Sequence, residues 1–410
     1  MVPSSPPLRL SAIPLTFGLA SVVMGCSSTE EPVDSIYESV EELGEALFLD
    51  TNLSANRTQS CSTCHDPERG FTDGRNNPDG MVAAVSLGDD GVSWGDRNAP
   101  SVAYAFLAPE FHVGTRARPI RHNNRLYEGA LGGQFWDGRA PELEDQAGGP
   151  PLNALEMGMP DEAAVVERLR EDVEYERGFV EFYGVDVFDS DDQAYIAMTE
   201  SIAAFERTDV FAPFDSRYDR SLRGEVALTF KELTGESVFF SQFANCSVCH
   251  ALYRDGDPIN RTAEPFSGFE YHNIGIPVNE AVRQRNGVTG PDLGLAQNPA
   301  ASDADRGKFK VPTLRNVAVT GPYMHNGVFR ELRTVVEFYD RFNNSDERTL
   351  NPETGEPWRE PEVPDTVTEL LEVGDPLTDL EVESLVCFLR ALTDARYEHL
   401  IDAGDIDCSD

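Results

Sequence analysis

Cys61-Ser62-Thr63-Cys64-His65 returns later in the chain, with the same spacing, as Cys246-Ser247-Val248-Cys249-His250. Cys-x-x-Cys-His is the attachment motif of c-type haem. Its two thiols add across the vinyl groups at one porphyrin edge, and the adjacent imidazole becomes an axial ligand of the iron. The competing reading is zinc, but a closed structural zinc site draws four Cys or His ligands together. Here each Cys pair brings its own His, so two copies predict two covalently bound haems, one in each half.

Around these motifs the periodicity is helical. Residues 35–48 place Ile36, Val40, Leu43, Leu47 and Phe48 close to one face. Residues 161–183, 192–208, 228–240 and 331–340 read the same way. The strongest window is 379–393: Thr378 and Glu381 form a capping box, and Val382, Leu385, Leu389 and Leu392 form an apolar stripe. No alternating strand pattern of useful length is found. Long loops rich in Gly, Pro, Asn and Asp cover 66–100, 109–134, 252–310 and 343–365. Such loops are uncommon in compact domains unless functional, and a porphyrin is something for them to wrap. The expected fold class is mainly α: two cytochrome c-like helical domains, each binding one haem. The domains are set at 34–212 and 213–395, with a tail at 396–410.

The 410 residues give room for two cored domains. Acidic residues number 72 against 33 basic, a formal charge of −39, and the lysines are Lys231, Lys308 and Lys310. That balance excludes nucleic-acid binding, which needs a basic surface. It fits a solvated acidic surface, or one that steers a cationic redox partner. At the N-terminus, Arg9 precedes an apolar stretch, 10–24, and then Gly25-Cys26. This reads as a lipoprotein-type signal, 1–26, with Cys26 lipidated and 27–33 as a tether; plain export cleavage near Cys26 is the alternative. The stretch is too short and too interrupted by proline for a comfortable membrane span. Either way the expected compartment is the periplasm or cell envelope. Cys387 and Cys408 remain, as a disulfide tying down the tail or as two unpaired structural cysteines.

Further runs carry a family resemblance. They are Leu43-Gly44-Glu45-Ala46-Leu47-Phe48, Phe71-Thr72-Asp73-Gly74, Arg97-Asn98-Ala99-Pro100-Ser101 and Phe135-Trp136-Asp137-Gly138-Arg139-Ala140. Gln146, Pro150 and Glu156-Met157 follow, then Pro312-Thr313-Leu314-Arg315-Asn316-Val317 and Thr320-Gly321-Pro322-Tyr323-Met324-His325-Asn326-Gly327. Across roughly 40–395 the chain resembles bacterial di-haem cytochrome c peroxidases and the related MauG-type maturation enzymes. The resemblance implies that hydrogen peroxide is reduced at the N-terminal haem. Gln146 and Glu156 match its distal residues, with Glu156 as acid/base, and Pro150 lines the same pocket. Trp136 matches a tryptophan between the two haems. Asn98, Thr320 and Pro322 match positions that hold a calcium ion, for which oxygen ligands are suited. The implied partners are a small redox-protein donor (cytochrome c or copper protein) or a protein substrate, and a homodimer is common in the family.

Two departures refine this expectation. The second axial ligand of the C-terminal haem is a methionine in the peroxidases; at the matching position, fourteen residues after His325, this chain has Tyr339. MauG-type enzymes resemble it there. A phenolate favours oxidised iron, whereas a thioether raises the potential. Met324 is the rival ligand. The second departure is in Gly91-Val92-Ser93-Trp94, where many peroxidases carry a histidine that blocks the oxidised N-terminal iron. No histidine occurs between His65 and His112, so that haem is expected to be open, with His112 and His122 as the alternative ligands. Together these departures favour oxidation of a partner protein over donor-dependent peroxide removal. The remaining alternative, a non-enzymatic electron carrier, has no need of the Gln146/Glu156 pair. Trp358, in a polar loop, is taken as incidental.

Overall fold

A computed structural model describes residues 36–76, 82–118, 126–250, 263–402, 404 and 406–409. Cys26, the signal and tether segments and His122 lie outside them. Helix α1, Val40–Leu49, starts where the Ser39 hydroxyl accepts the Glu42 N–H. The first haem motif is a single turn, α2, Cys61–Cys64, closed by His65 N–H donating to the Cys61 carbonyl at 2.9 Å. After it come a hairpin of β1, His112–Ala117, and β2, Leu126–Leu131, then short helices α3, Leu143–Ala147, and α4, Gly149–Leu152. Helices α5, Glu162–Leu169, α6, Val173–Tyr183, and α7, Asp191–Glu206, complete this half.

The second half repeats the plan. Helices α8, Arg217–Leu222, and α9, Phe230–Phe239, lead to a 3₁₀ turn at Cys246–Val248, where His250 N–H donates to the Cys246 carbonyl at 3.0 Å. Strand β3, Tyr271–His272, helix α10, Glu280–Asn286, and strand β4, Phe309–Lys310, follow. The half closes with α11, Leu332–Asp340, and α12, Asp379–Ala391. The Thr378–Glu381 capping box forms as read from the sequence.

In each half the helix that leads into the Cys-x-x-Cys-His turn crosses the last helix at a glycine. A Cβ on Gly44 of α1 would lie 1.9 Å from the Ser201 carbonyl oxygen of α7. A Cβ on Gly235 of α9 would lie 1.9 Å from the Ser384 carbonyl oxygen of α12. Glycine in a helix interior costs about 0.5–1 kcal/mol relative to alanine, and this close approach of two backbones is the return. Aromatic rings fill each crossing. Phe48, Phe71, Phe205 and Phe211 interlock in the first half, and Tyr218, Phe239, Phe266 and Phe388 in the second. Edge-to-face pairs of this kind add about 0.5–1.5 kcal/mol each beyond the area they bury.

Three sequence expectations are corrected, one of them the loop 252–310, which contains β3, α10 and β4. The window 161–183 is two helices, because Asp172 leaves the helical conformation and its carboxylate accepts the Glu174 N–H, capping α6 afresh. The loop 109–134 contains the β1–β2 hairpin, whose residues pair from His112 with Leu131 to Ala117 with Leu126. It was illegible because β1 has no buried face, so no alternation was selected. Cys387 and Cys408 are joined as a disulfide, with Cα atoms 5.5 Å apart.

Candidate functional site

Both Cys-x-x-Cys-His turns open into cavities. One of about 620 Å³ is bounded by Cys61, Cys64 and His65. A second of about 250 Å³ is bounded by Cys246, Cys249 and His250. None of these four cysteines is in a disulfide. His65 Nδ1 lies 3.3 Å from the Phe71 carbonyl, and His250 Nδ1 lies 2.9 Å from the Phe266 carbonyl. A carbonyl only accepts, so each Nδ1 carries the proton and each Nε2 keeps its lone pair for a metal. Burial lowers the affinity of both rings for a second proton, to about 4 at His250. Paired thiols, a neutral imidazole and an adjoining cavity fit a covalently held c-type haem in each half.

Short helices propped on α7 set one wall of the first cavity. Gln146 on α3 and Pro150 on α4 line the first cavity with Glu156. Tyr195 of α7 donates to the Gly148 carbonyl at 2.7 Å and fixes the joint between α3 and α4. Asn153 Nδ2 donates to Glu156 Oε1 at 2.9 Å. Burial raises the Glu156 pKa from 4.5 to about 6, against the opposing pull of Arg139 and the Asn153 hydrogen bond. This carboxyl therefore exchanges a proton near neutral pH, as general acid–base work requires. Among the described residues His65 is the one histidine on this cavity. His112 is exposed on β1, with Nδ1 2.8 Å from the Glu110 carbonyl.

Trp136 lines both cavities. Its indole N–H donates to the Asn98 carbonyl at 2.8 Å, and its own carbonyl accepts from Lys310 N–H of β4 at 2.8 Å. Asn98, Thr320 and Pro322 gather on the first cavity. Asn98 Nδ2 donates to the Ala84 carbonyl at 3.0 Å. Among the described residues no three His, Cys, Asp or Glu side chains are grouped around a metal. A site here would use amide and carbonyl oxygens.

Tyr339 of α11 lines the second cavity with His250, close to Cys246 and Cys249. Burial raises its phenol above the ordinary tyrosine range. Met324 borders both cavities and packs on the Ile276–Phe329–Phe338 cluster. Trp358 is less incidental than its loop implied. Its indole N–H donates to the Arg348 carbonyl at 2.8 Å, and its ring meets Phe338 at 5.7 Å.

Sequence reasoning missed two residues. Glu206, at the end of α7, is 4% exposed and borders the first cavity. Its Oε2 has no hydrogen-bond partner among the described residues, and burial raises its pKa to about 8. In the sequence it reads as an ordinary acid in a last helical turn. Lys310 borders both cavities, donates to the Gly133 carbonyl, and is lowered by burial to about 7. As one of three lysines in so acidic a chain it was a usable signal.

The geometry agrees with the relatives. Residues 38–227 match the family model described as di-haem cytochrome c peroxidase. The chain is 47% identical to the methylamine utilization protein MauG of Paracoccus denitrificans, over 93% of this chain and 95% of that one. It is 30% identical to the cytochrome c551 peroxidase of Nitrosomonas europaea, over 82% and 84%. The crystal structure of the diheme peroxidase BthA from Burkholderia thailandensis superposes with a TM-score of 0.75 at 28% identity, covering 91% of this chain and 90% of that one. The chain is a peroxidase-type oxidoreductase and belongs to the di-haem cytochrome c peroxidase and MauG family.

Proposed function

We propose that this enzyme uses hydrogen peroxide to withdraw electrons from a partner protein, and that the tyrosine at its second haem sets it to that task. The observation that carries the reading is the placement of Tyr339 on the cavity of His250. The two haems supply the redox chemistry when bound, one on Cys61, Cys64 and His65 and the other on Cys246, Cys249 and His250. Residues 34–212 form the peroxidatic domain and 213–395 the electron-transfer domain.

In the first cavity Glu156 takes the proton of the incoming peroxide oxygen and returns it to the departing one. Gln146 orients the peroxide by hydrogen bonding, and Pro150 keeps the pocket narrow. Tyr339 would hold the second haem's iron through its phenolic oxygen, a hard anionic donor that favours oxidised iron. Trp136, shared by both cavities, relays electrons between them. Asn98, Thr320 and Pro322 would hold a calcium ion beside the Asn98 carbonyl to which Trp136 donates. Cys26 anchors the chain to a membrane facing the periplasm. A second reading, donor-dependent peroxide removal, draws support from the charge of −39, which would attract a basic cytochrome c or copper protein.

Electron paramagnetic resonance of the resting ferric holoenzyme tests the assignment. It should give one high-spin and one low-spin haem, and Tyr339→Phe should abolish the low-spin His/Tyr signature. A low-spin signal unchanged in the variant would refute Tyr339 as ligand, and two low-spin haems in the wild-type protein would refute the open first haem.

A further inference from the structure

One wall of the first cavity carries a tyrosine with its own proton acceptor. Tyr104 borders that cavity and is fully buried. Its hydroxyl donates to Asp394 Oδ1 at 2.5 Å and accepts the Phe214 N–H at 3.3 Å. Asp394 is itself fully buried, and its Oδ2 accepts from Asn316 Nδ2 at 2.8 Å. Asn316 Oδ1 in turn accepts the Asp394 N–H at 2.8 Å, which fixes the orientation of the amide. Both carboxylate oxygens therefore accept from donors, which favours the ionised form and offsets part of the burial that raises this carboxyl above its ordinary range, so that it holds a proton readily once one is delivered. The Arg315 guanidinium lies 5.4 Å from the centre of the Tyr104 ring, held there as a cation by its ion pair with Asp219.

Each feature bears on how this ring would lose an electron. A cation above the ring opposes a positive charge on it, so the phenolic proton has to leave with the electron. Asp394 is placed to receive it across one short hydrogen bond, with no water required. The remaining Asn316 contact holds the carboxyl in place before and after the transfer. A clamp between two parts of a fold needs none of this. A neutral hydrogen-bonded pair would serve, without a buried carboxylate whose desolvation is costly.

We propose that Tyr104 and Asp394 form a reversible one-electron store for the first haem. One oxidising equivalent left by peroxide takes an electron from Tyr104. The phenolic O–H bond breaks, its proton forms a new O–H bond on Asp394, and a neutral tyrosyl radical remains. An electron from the reducing partner reverses both transfers. The store rests on the proposed peroxide reaction for its oxidant, and it gives the enzyme somewhere to keep an equivalent when no partner is bound.

The test treats oxidised holoenzyme with hydrogen peroxide, freezes it and records the radical by electron paramagnetic resonance, with haem absorbance followed in parallel. A tyrosyl signal that narrows on ring-deuterated tyrosine should form, vanish in Tyr104→Phe, and be lost in Asp394→Asn. That amide keeps a hydrogen-bond acceptor but cannot hold the proton. Both variants preserve shape, and their haem content reports folding. The same samples oxidised by a photogenerated ruthenium(III) complex probe the pair without peroxide. A Tyr104-dependent signal there, with haems silent to peroxide, would uphold the pair and overturn the peroxide reading instead. Haems that respond to peroxide with no tyrosyl signal under either oxidant, or a signal that survives Tyr104→Phe, would overturn the store.

Discussion

Glu156→Gln should weaken the enzyme and stabilise the fold at once. Burial holds this carboxyl at about 6 against an ordinary 4.5. At 1.36 kcal/mol per unit, folding disfavours the ionised form by about 2 kcal/mol. The sign follows from the direction of the shift. A raised folded-state pKa stabilises the protonated form, so that contribution is complete below 4.5 and is lost as pH rises through about 6. Glutamine has nearly the same shape, still accepts from Asn153 and never ionises. The variant should therefore match the wild-type protein near pH 4 and exceed it by up to about 2 kcal/mol near pH 8. Activity should move the other way. If the carboxylate takes the peroxide proton, its ionised fraction rises from about a tenth at pH 5 to about nine-tenths at pH 7, and the rate with it by about tenfold. Removing the base should cost about 10²–10⁴-fold and flatten that profile. Stopped-flow mixing with peroxide gives the rates, and thermal unfolding across the same pH range gives the stabilities. A variant within about threefold of the wild-type rate, or one that keeps the midpoint near pH 6, would refute the role given to this carboxyl.

Two further outcomes test the scaffold. Gly235→Ala should destabilise the C-terminal half by about 1–3 kcal/mol, because the new methyl meets the Ser384 carbonyl; an unchanged Tm would mean that α9 and α12 do not cross there. Cys408→Ser should cost about 3 kcal/mol, as expected for a bridge closing a loop of this length, with 21 residues of sequence separation. The wild-type Tm should fall by the same amount in reductant, and a Tm indifferent to both would show that the tail contributes little.

What was legible in the chain was local. Each Cys-x-x-Cys-His forms one turn of backbone, so spacing alone places both thiols beside the imidazole. The helices were readable where one face is buried, as along Val382, Leu385 and Leu389 of α12. They were misread where a cap interrupts a continuous apolar rhythm, as at Asp172. The β1–β2 hairpin was missed because β1 buries neither face, so its residues answer to backbone pairing alone. Gln146, Pro150 and Glu156 could be named because the stretch that carries them resembles the family's distal segment. Tyr104 and Asp394 could not. They are 290 residues apart, and only the packing of the second half against the first brings them into contact. Glu206 was hidden for another reason: nothing in a helical sequence distinguishes a carboxyl facing a cavity from one facing water.

The most direct measurement mixes fully oxidised holoenzyme, with no reductant present, with one equivalent of hydrogen peroxide and follows both haem spectra by stopped flow. An open first cavity with Glu156 in place, and Tyr339 on the second haem, should give an immediate change at both haems. No change until one haem has been reduced would contradict that arrangement and return the enzyme to donor-dependent peroxide removal.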